Sequence, residues 1–371
     1  MIAVVGGIKT LVRMQLKLGG DSGMDDMMGG MPPQQMGGMP GMPGMPGMPG
    51  MPGAPDQKEL EKFLGMEGLP DLGDMPELTP SIYSKPKILP LGCDPIQVLN
   101  GGCGYEIAQR LAKQGKSESM ITVVGDDLLG RAAVGALQGA GVDVSGVSFL
   151  EGTTPISVET RNVLGDMEME QCNEILMEEL TPELVKAHAA LLDEADIIVL
   201  DGTVPEATMQ MIGETYGNRD DVKLFFDPAT IRGARKGKEF LKYFDCVIPG
   251  RLEAEEMTGR TILSEDQLNA AGKRFEEKGV DCTVITMKGG GLYYKYGDEE
   301  NILKPERVVS FFNTSGVGDV TSAALIGELD SGKSIGEAAA EAMKQAALYL
   351  TEAEAANQRE LERRAKKLGE K

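Results

Sequence analysis

Short, continuously apolar segments separated by helical stretches constrain this chain more than any other feature. Residues 195–201 (ADIIVLD), 222–227 (VKLFFD) and 282–286 (CTVIT) each have the length of one buried strand. Helical stretches follow Pro205 and cover residues 268–278. A strand that is apolar at every position is buried on both faces, which is typical of a parallel sheet covered by helices. The sequence therefore predicts an α/β fold.

One segment departs from this pattern. Residues 156–163 (ISVETRNV) alternate apolar and polar side chains, as a half-exposed antiparallel strand does. We expect this strand to belong to a small β flap attached to the main sheet.

Polar residues follow several of the predicted strands, namely Asp201, Asp227 and Thr286. Each of them could serve only as a strand-to-helix turn. Ligands of parallel sheets bind at the carboxyl ends of the strands. The joint occurrence of these residues therefore predicts a cleft at that edge.

Composition separates one tract from the rest of the chain. The 371 residues include 49 Gly, 23 Met and 20 Pro, and much of this excess falls within residues 19–55, where residues 39–53 are five Met-Pro-Gly triplets. Such a tract has nothing to bury that would offset the entropy cost of ordering it, so the sequence predicts disorder here. The alternative is a Met-rich adhesive surface for a protein partner, because thioethers adapt to irregular apolar shapes.

The rarer residues exclude several classes of protein. A single His, His188, within a predicted helix over residues 182–193, leaves no multi-histidine metal site and no histidine relay elsewhere. Five Cys without C-x-x-C spacing argue against a zinc ribbon. A net charge of −21 disfavours nucleic acid and anionic membranes. With no apolar run long enough to span a bilayer and no signal-peptide pattern, we expect a cytoplasmic protein.

The strongest local motif is residues 313–319 (NTSGVGD), followed by a helical segment at 320–326. A Gly-x-Gly turn at a helix N-terminus presents backbone N–H groups to an anion. Asp319 lies in the first turn, where a carboxylate could accept the proton of an attacking hydroxyl. The alternative is an Asp that only caps its own helix.

A second loop, residues 327–334 (GELDSGKS), matches the P-loop pattern G-x-x-x-x-G-K-[ST]. A P-loop follows a buried strand, whereas the segment before this loop is Ala-rich and helical in pattern. We expect a turn between two helices, with Gly332 ending the first. A P-loop NTPase is the alternative.

Several segments occur in the order of the motifs of ribokinase-like (PfkB) carbohydrate kinases. Residues 313–319 resemble the signature D/N-x-[ST]-G-A-G-D, and residues 100–108 (NGGCGYEIA) resemble the first glycine motif. Residues 250–259 (GRLEAEEMTG) resemble N-x-x-E-A-E-x-x-T-G, and residues 2–7 (IAVVGG) resemble the first strand. Within the family, residues 101–109 and 251–255 are most similar to the pseudouridine kinase branch.

The resemblance implies a three-layer ribokinase-like parallel sheet with helices on both faces and a small β lid. It also implies ATP and Mg²⁺ as cofactors, and it allows a monovalent cation such as K⁺ and a homodimer formed through the lid. The implied site residues are Asp319 as general base, Gly316, Val317 and Gly318 as an anion hole, Glu253 at magnesium, Thr286, Lys288, Gly291 and Ser315 at the nucleotide, and Gly101, Gly102 and Glu106 at the substrate.

Some residues depart from the family pattern. Lys9-Thr10 occupies the region of the substrate-orienting Asp, Glu106 replaces the Asn of the glycine motif, and Gly250 replaces the first Asn of N-x-x-E. Lys288, which replaces a glycine, could add a cation for ATP phosphates. These departures bear on the identity of the acceptor.

The sequence thus predicts four regions. Residues 1–18 start the kinase domain, residues 19–87 are a Met/Gly/Pro-rich insertion and linker, residues 88–355 complete the kinase domain, and residues 356–371 are a charged helical tail. The predicted function is ATP-dependent phosphorylation of a sugar or nucleoside hydroxyl, pseudouridine included. The alternative is a catalytically silent ribokinase-like protein that binds a sugar, a nucleoside or a protein partner.

Overall fold

The computed structural model describes residues 1–15, 96–161, 167–287, 291–305 and 316–369. Its strands are β1 (Ile2–Val5), β2 (Lys9–Gln15), β3 (Ile96–Gly101), β4 (Glu118–Gly125), β5 (Asp143–Leu150), β6 (Ile156–Arg161), β7 (Met167–Asn173), β8 (Ile197–Asp201), β9 (Lys223–Asp227), β10 (Cys246–Val247), β11 (Cys282–Thr286), β12 (Leu292–Tyr296) and β13 (Glu299–Leu303).

The α-helices lie between and after these strands. They are α1 (Cys103–Lys113), α2 (Leu128–Ala140), α3 (Pro182–Ala187), α4 (Ala189–Asp193), α5 (Glu206–Tyr216), α6 (Ile231–Gly237), α7 (Arg251–Thr258), α8 (Glu265–Glu277), α9 (Val317–Asp330) and α10 (Ile335–Gly369). No helix in the part of the chain that the structure describes is long and apolar enough to cross a membrane.

The larger sheet has the strand order β13-β12-β11-β10-β9-β8-β1-β4-β5. Strands β5 to β11 in this order run parallel, and β12 and β13 are antiparallel additions at one edge. The first strand of the chain is central, because Val5 pairs with Ile121 on one side and Leu200 on the other. The prediction that residues 2–7 supply a first strand is confirmed.

Apolar residues at successive positions of each central strand bury both faces of the sheet. All eight residues of β4 and all five of β8 are buried. One core cluster packs helices α3, α5, α6, α7 and α8 against one face. The other packs α1, α2, α9 and α10 against the opposite face. The predicted three-layer arrangement is therefore confirmed.

Polar residues between strands and helices fix where helices begin. The side chains of Asp127, Thr181, Thr230 and Ser264 each accept a hydrogen bond from the backbone N–H three residues further on. Such N-caps satisfy donors that lack a partner within the helix. The sequence thereby fixes the residue at which each of these four helices begins.

A second sheet, called the lid sheet here, has the order β3-β2-β6-β7. The flap strand predicted from residues 156–163 is β6, which pairs antiparallel with β7 and parallel with β2. Strands β2 and β3 are antiparallel, with Met14 opposite Ile96. The predicted insertion, residues 19–87, lies outside the described residues.

Three predictions of helix boundaries can be compared with the structure. Within residues 327–334, the predicted turn is formed by residues 331–334, because α9 ends at Asp330, Gly332 has φ 78° and α10 begins at Ile335. Residues 327–330 are the end of α9, so a helix stands where a P-loop needs a strand. The predicted helix over 182–193 is wrong in one respect, since its backbone breaks at His188 into α3 and α4. Helix α10 continues without interruption past residue 355.

Candidate active site

The N-terminus of α9 carries the strongest motif of the sequence. Gly316 caps the helix with φ 85°, a conformation that favours glycine. Val317 and Gly318 follow, and Asp319 lies in the first turn. The backbone N–H groups of a first turn have no partner within the helix, and the helix dipole adds positive potential. The predicted anion hole and general base therefore lie at one helix end, while Ser315 lies outside the described residues.

Asp319 lies in an environment that favours its protonated form. Burial, the charge of Asp227 and then that of Glu106 hold its pKa well above the usual range, while Cys103 and Arg110 act in the opposite direction. A carboxyl group with a raised pKa retains an accepted proton at a pH where an ordinary aspartate would release it. Its surroundings suit a group that accepts a proton.

Asp227 lies at the carboxyl end of β9 and is only 6% exposed. Ser322 donates a hydrogen bond to it from Oγ at 2.6 Å, and the backbone N–H of Ala229 donates at 2.8 Å. Burial raises the pKa of Asp227 to about 6, and these two hydrogen bonds oppose the rise. Strand β9 and helix α9 thus bring two acids with raised pKa values to the same edge of the sheet.

Asp201, at the end of β8, is fully buried and organises the chain around the site. Its Oδ2 accepts hydrogen bonds from the backbone N–H groups of Gly7 and Gly104, both at 2.8 Å. One carboxylate therefore joins the segment after β1 to the first turn of α1. Gly102 has φ 107°, and a Cβ there would lie 2.4 Å from the carbonyl oxygen of Gly7, so this close approach requires glycine.

The predicted substrate residues lie on this side of the site. Gly101 ends β3, Gly102 caps α1, and Glu106 lies in the first turn of α1. The electrostatic effect of Glu106 on Asp319 indicates that the two carboxyl groups are close. The structure therefore brings the predicted substrate residues and the predicted base together.

The predicted magnesium and nucleotide residues lie along β10 and β11. Gly250 forms a parallel bridge with Thr286, and its N–H donates to Glu253 Oε2 at 2.6 Å. Burial and then the charge of Asp227 raise the pKa of Glu253 to about 7. Gly291 accepts a hydrogen bond from the N–H of Met287 at 2.9 Å in the turn to β12. Lys288 lies outside the described residues.

The acid residues present suit a magnesium ion that is held mainly by phosphates and water. Among the described residues, no group of three His, Cys, Asp or Glu side chains could hold a metal by itself. Mg²⁺ usually binds through one or two carboxylates together with substrate phosphates. Glu253 and Asp227 are two such carboxylates, and burial and then neighbouring charges raise the pKa of each.

Three ion pairs lie on the lid side of the site. Lys9 contacts Glu170 at 3.2 Å, Arg13 contacts Glu159 at 3.1 Å, and Arg110 contacts Glu106 at 3.0 Å. The first two connect β2 with β7 and β6. These pairs place more charged residues around β2 and α1 than the sequence motifs indicated.

Sequence reasoning missed four side chains of the site, which are Cys103, Arg110, Ser322 and Tyr349. Ser322 follows Asp319 by three positions, so helical spacing alone could have found it. Arg110 follows Glu106 by four and carries the same kind of signal. Tyr349 lies on α10, far from the motifs in sequence, so no sequence spacing identifies it. Only the packing of α10 against α9 brings it to Gly316.

Comparisons with known proteins identify the family and the fold of this chain. The model of pfkB family carbohydrate kinases matches residues 92–361. The pseudouridine kinase of Escherichia coli (strain K12) is 26% identical over 231 residues, which cover 62% of this chain and 73% of that protein. Ribokinase from Thermotoga maritima has a TM-score of 0.64 at 18% identity, covering 94% of this chain and 92% of that one.

Ribokinase from Arabidopsis thaliana, solved in complex with ribose and ATP, has a TM-score of 0.59 at 16% identity and covers 93% of this chain and 90% of that one. These structures show that the fold is ribokinase-like, with a large, mostly parallel sheet and a small lid sheet. Together with the family match over most of its length, they show that this chain belongs to the pfkB family of carbohydrate kinases.

Proposed function

We propose that this protein transfers the γ-phosphoryl group of ATP to a hydroxyl of a sugar or nucleoside, with Asp319 as the general base. The observation that carries the proposal is the position of Asp319, a carboxyl group with a raised pKa in the first turn of a helix capped by Gly316. Proton acceptor and anion-binding amides then act on the same reacting group. Pseudouridine is among the acceptors to test, because one relative is a pseudouridine kinase.

In the proposed reaction, the acceptor hydroxyl gives its proton to the Asp319 carboxylate as its oxygen attacks the γ-phosphorus. The bond between that phosphorus and the bridging oxygen breaks, and ADP leaves. The N–H groups of Gly316, Val317 and Gly318 would stabilise charge on the transferred group. Positioning and electrostatics dominate such transfers, so the backbone at the start of α9 supplies much of the catalysis.

Mg²⁺, when bound, neutralises phosphate charge. We propose that Glu253 and Asp227 hold it, directly or through its water ligands. Thr286, Lys288, Gly291 and Ser315 would line the nucleotide site, and Gly101, Gly102 and Glu106 would face the acceptor. The proposal extends to a monovalent cation such as K⁺, to a cytoplasmic location and to a homodimer through the lid sheet, whose outer strand β3 exposes Ile96 and Val98.

An ADP-release assay with pseudouridine, uridine, ribose and fructose tests the proposal. We expect turnover of at least one acceptor, and a decrease in kcat of about a thousandfold in Asp319→Asn. Calorimetry should show that this variant binds ATP within about twofold of wild type. Asp330→Asn, at the other end of α9, is the matched control and should retain activity. Equal turnover by Asp319→Asn and wild type would show that Asp319 is not the base.

A second candidate function follows from the departures at Lys9 and Gly250. In this alternative the protein binds a sugar, a nucleoside or a protein partner without catalysis. It predicts calorimetric binding of a panel member with no ADP release under any condition. The assay above therefore separates the two candidates directly.

A further inference from the structure

We propose that the acceptor carries an acidic group, a carboxylate or a phosphate, and that the guanidinium of Arg110 binds it. The inference rests on the proposed kinase function, because it names the class of acceptor for the same site. Arg110 lies on α1, one helical turn beyond Glu106 and on the side of the helix that faces α10. Neither residue type stands in the family motif that the sequence resembles.

The first argument is a count of hydrogen-bond donors. An arginine side chain has five N–H donors and no acceptor. Glu106 Oε2 lies 3.0 Å from Nη2 of Arg110. The Nε atom of Arg110 is buried, and in the described part of the chain it has no hydrogen-bond partner. Because a buried donor without an acceptor is costly, this atom indicates a ligand oxygen rather than a ligand donor.

The second argument is the location of this donor. The guanidinium carbon of Arg110 lies 5.2 Å from the centre of the Tyr349 ring. The hydroxyl oxygen of Tyr349 lies 3.0 Å from where a Cβ on Gly316 would be. The tyrosine therefore spans the distance from Arg110 to the cap of α9. Arg110 also acts electrostatically on Asp319, so it lies beside the reacting centre and not on the outer surface.

The third argument is the charge that the lid sheet carries in the region of the family's acidic residue. Lys9 stands in the region where the family pattern has an acidic residue, and it is held by Glu170 at 3.2 Å. The lid sheet thus presents a cation where the resemblance predicted an anion. An acidic side chain at this place would repel an acidic acceptor, so its replacement by Lys9 removes one repulsion.

Geometry decides between an acid and a neutral hydroxyl. The Nε and Nη donors of a guanidinium form a planar fork that matches the two oxygens of a carboxylate or phosphate. A hydroxyl oxygen cannot accept from both in this manner. Glu106 contacts Nη2, whereas Nε has no partner among the described residues, so Nε is the donor that we assign to the ligand.

Two matched pairs of acceptors test this inference, namely 5-O-methylribose with ribose 5-phosphate and glucuronamide with glucuronate, because the members of each pair carry the same free hydroxyls. ADP release and calorimetric binding are measured for each compound with wild type, Arg110→Gln and Arg110→Lys. The lysine variant retains the charge but lacks the planar fork. Arg274→Gln is the matched control, because Arg274 also pairs with a glutamate of its own helix, at 2.8 Å, on the distant helix α8.

We expect wild type to use the acidic member of at least one pair about tenfold better in kcat/KM than the neutral member. Both Arg110 variants should lower that value by about tenfold or more, chiefly through KM, and should lower the ratio of acidic to neutral kcat/KM, because any effect of Arg110 on Asp319 falls on both members alike. Which pair responds identifies carboxylate or phosphate. Preference for the neutral member in both pairs, or equal losses for both members in the variants, would overturn the inference.

The two proposals fail in different ways. If no compound releases ADP, the proposed function fails for these acceptors, and calorimetry alone decides the role of Arg110. Binding of an acidic compound to wild type and its loss in both Arg110 variants would still support the inference. Absence of such binding, or binding unchanged in the variants, would refute it.

Discussion

Buried acids lie at both ends of the strands of the large sheet, called the carboxyl edge and the amino edge here. The hydrogen bonding of these acids differs between the two edges. At the carboxyl edge, Asp201 accepts N–H groups from Gly7 and Gly104, and Asp227 accepts one from Ala229. At the amino edge, Glu118 begins β4 and is 4% exposed, and neither of its carboxylate oxygens has a hydrogen-bond partner among the residues that the structure describes. Burial raises its pKa to about 7.

The direction of the chain explains the difference. At the carboxyl edge β4, β8, β9 and β10 each lead into the start of a helix, where backbone N–H groups lack partners. At the amino edge β4, β5, β8, β9 and β11 each follow a helix, whose last turn has free carbonyl oxygens and the negative end of the helix dipole. Acids are therefore supported where chemistry is proposed and are costly at the opposite edge.

The largest expected effect on stability is at Asp201. Asp201→Ala leaves the N–H groups of Gly7 and Gly104 buried without an acceptor, so the free energy of unfolding should fall by about 3 kcal/mol. Urea denaturation measures this loss. Asp201→Asn keeps one acceptor oxygen and should lose less. If both variants unfold like wild type, the two edges do not differ as argued.

Glu118 provides the matching experiment at the amino edge. Its folded pKa, about 7, exceeds the ordinary value of 4.5, so the folded state binds this proton more tightly and loses stability as pH rises from 4.5 through about 7. The loss amounts to about 3 kcal/mol. Glu118→Gln should remove this component of the pH dependence.

Urea denaturation of both proteins between pH 5 and 8 tests this expectation. The advantage of Glu118→Gln over wild type should grow with pH across that range. Glu239→Gln, at an exposed position, is the control and should follow wild type. Parallel curves for wild type and Glu118→Gln would mean that Glu118 has a partner that compensates its burial.

The smallest effect is expected at Lys333, in the turn that matches the P-loop pattern. Its ammonium group contacts Glu328 at 2.5 Å and is 48% exposed, so the pair should contribute little to stability. We expect Lys333→Ala to bind ATP like wild type in calorimetry. Loss of ATP binding in this variant would indicate that the nucleotide binds at the amino edge of the sheet instead.

Local chemistry made much of the site predictable. The strands β8, β9 and β11 follow from apolar runs, and Asp319 with its glycines follows from the spacing of seven residues. Pairing between distant segments was less accessible, as β6 shows: its alternation indicated an antiparallel strand, yet it also lies parallel to β2.

The ion pair between Lys9 and Glu170 shows the same limit on predicting contacts between distant segments. Lys9 and Glu170 are 161 residues apart in sequence, and neither lies in a pattern that identifies the other. Only the folded lid sheet brings them together. Glu106 and Arg110, by contrast, share one helix, so their pairing was accessible from spacing although their position beside Asp319 was not.

The pairing of Met14 with Ile96 has a mechanical consequence. The chain leaves β2 and re-enters β3 at the same end of one antiparallel ladder. A force applied to the residues between them would break the residue pairs of that ladder one after another. The pair that contains Arg13 would break before the pair that contains Lys9. Such a force would therefore disturb Lys9 and the lid sheet before it disturbed the start of α9.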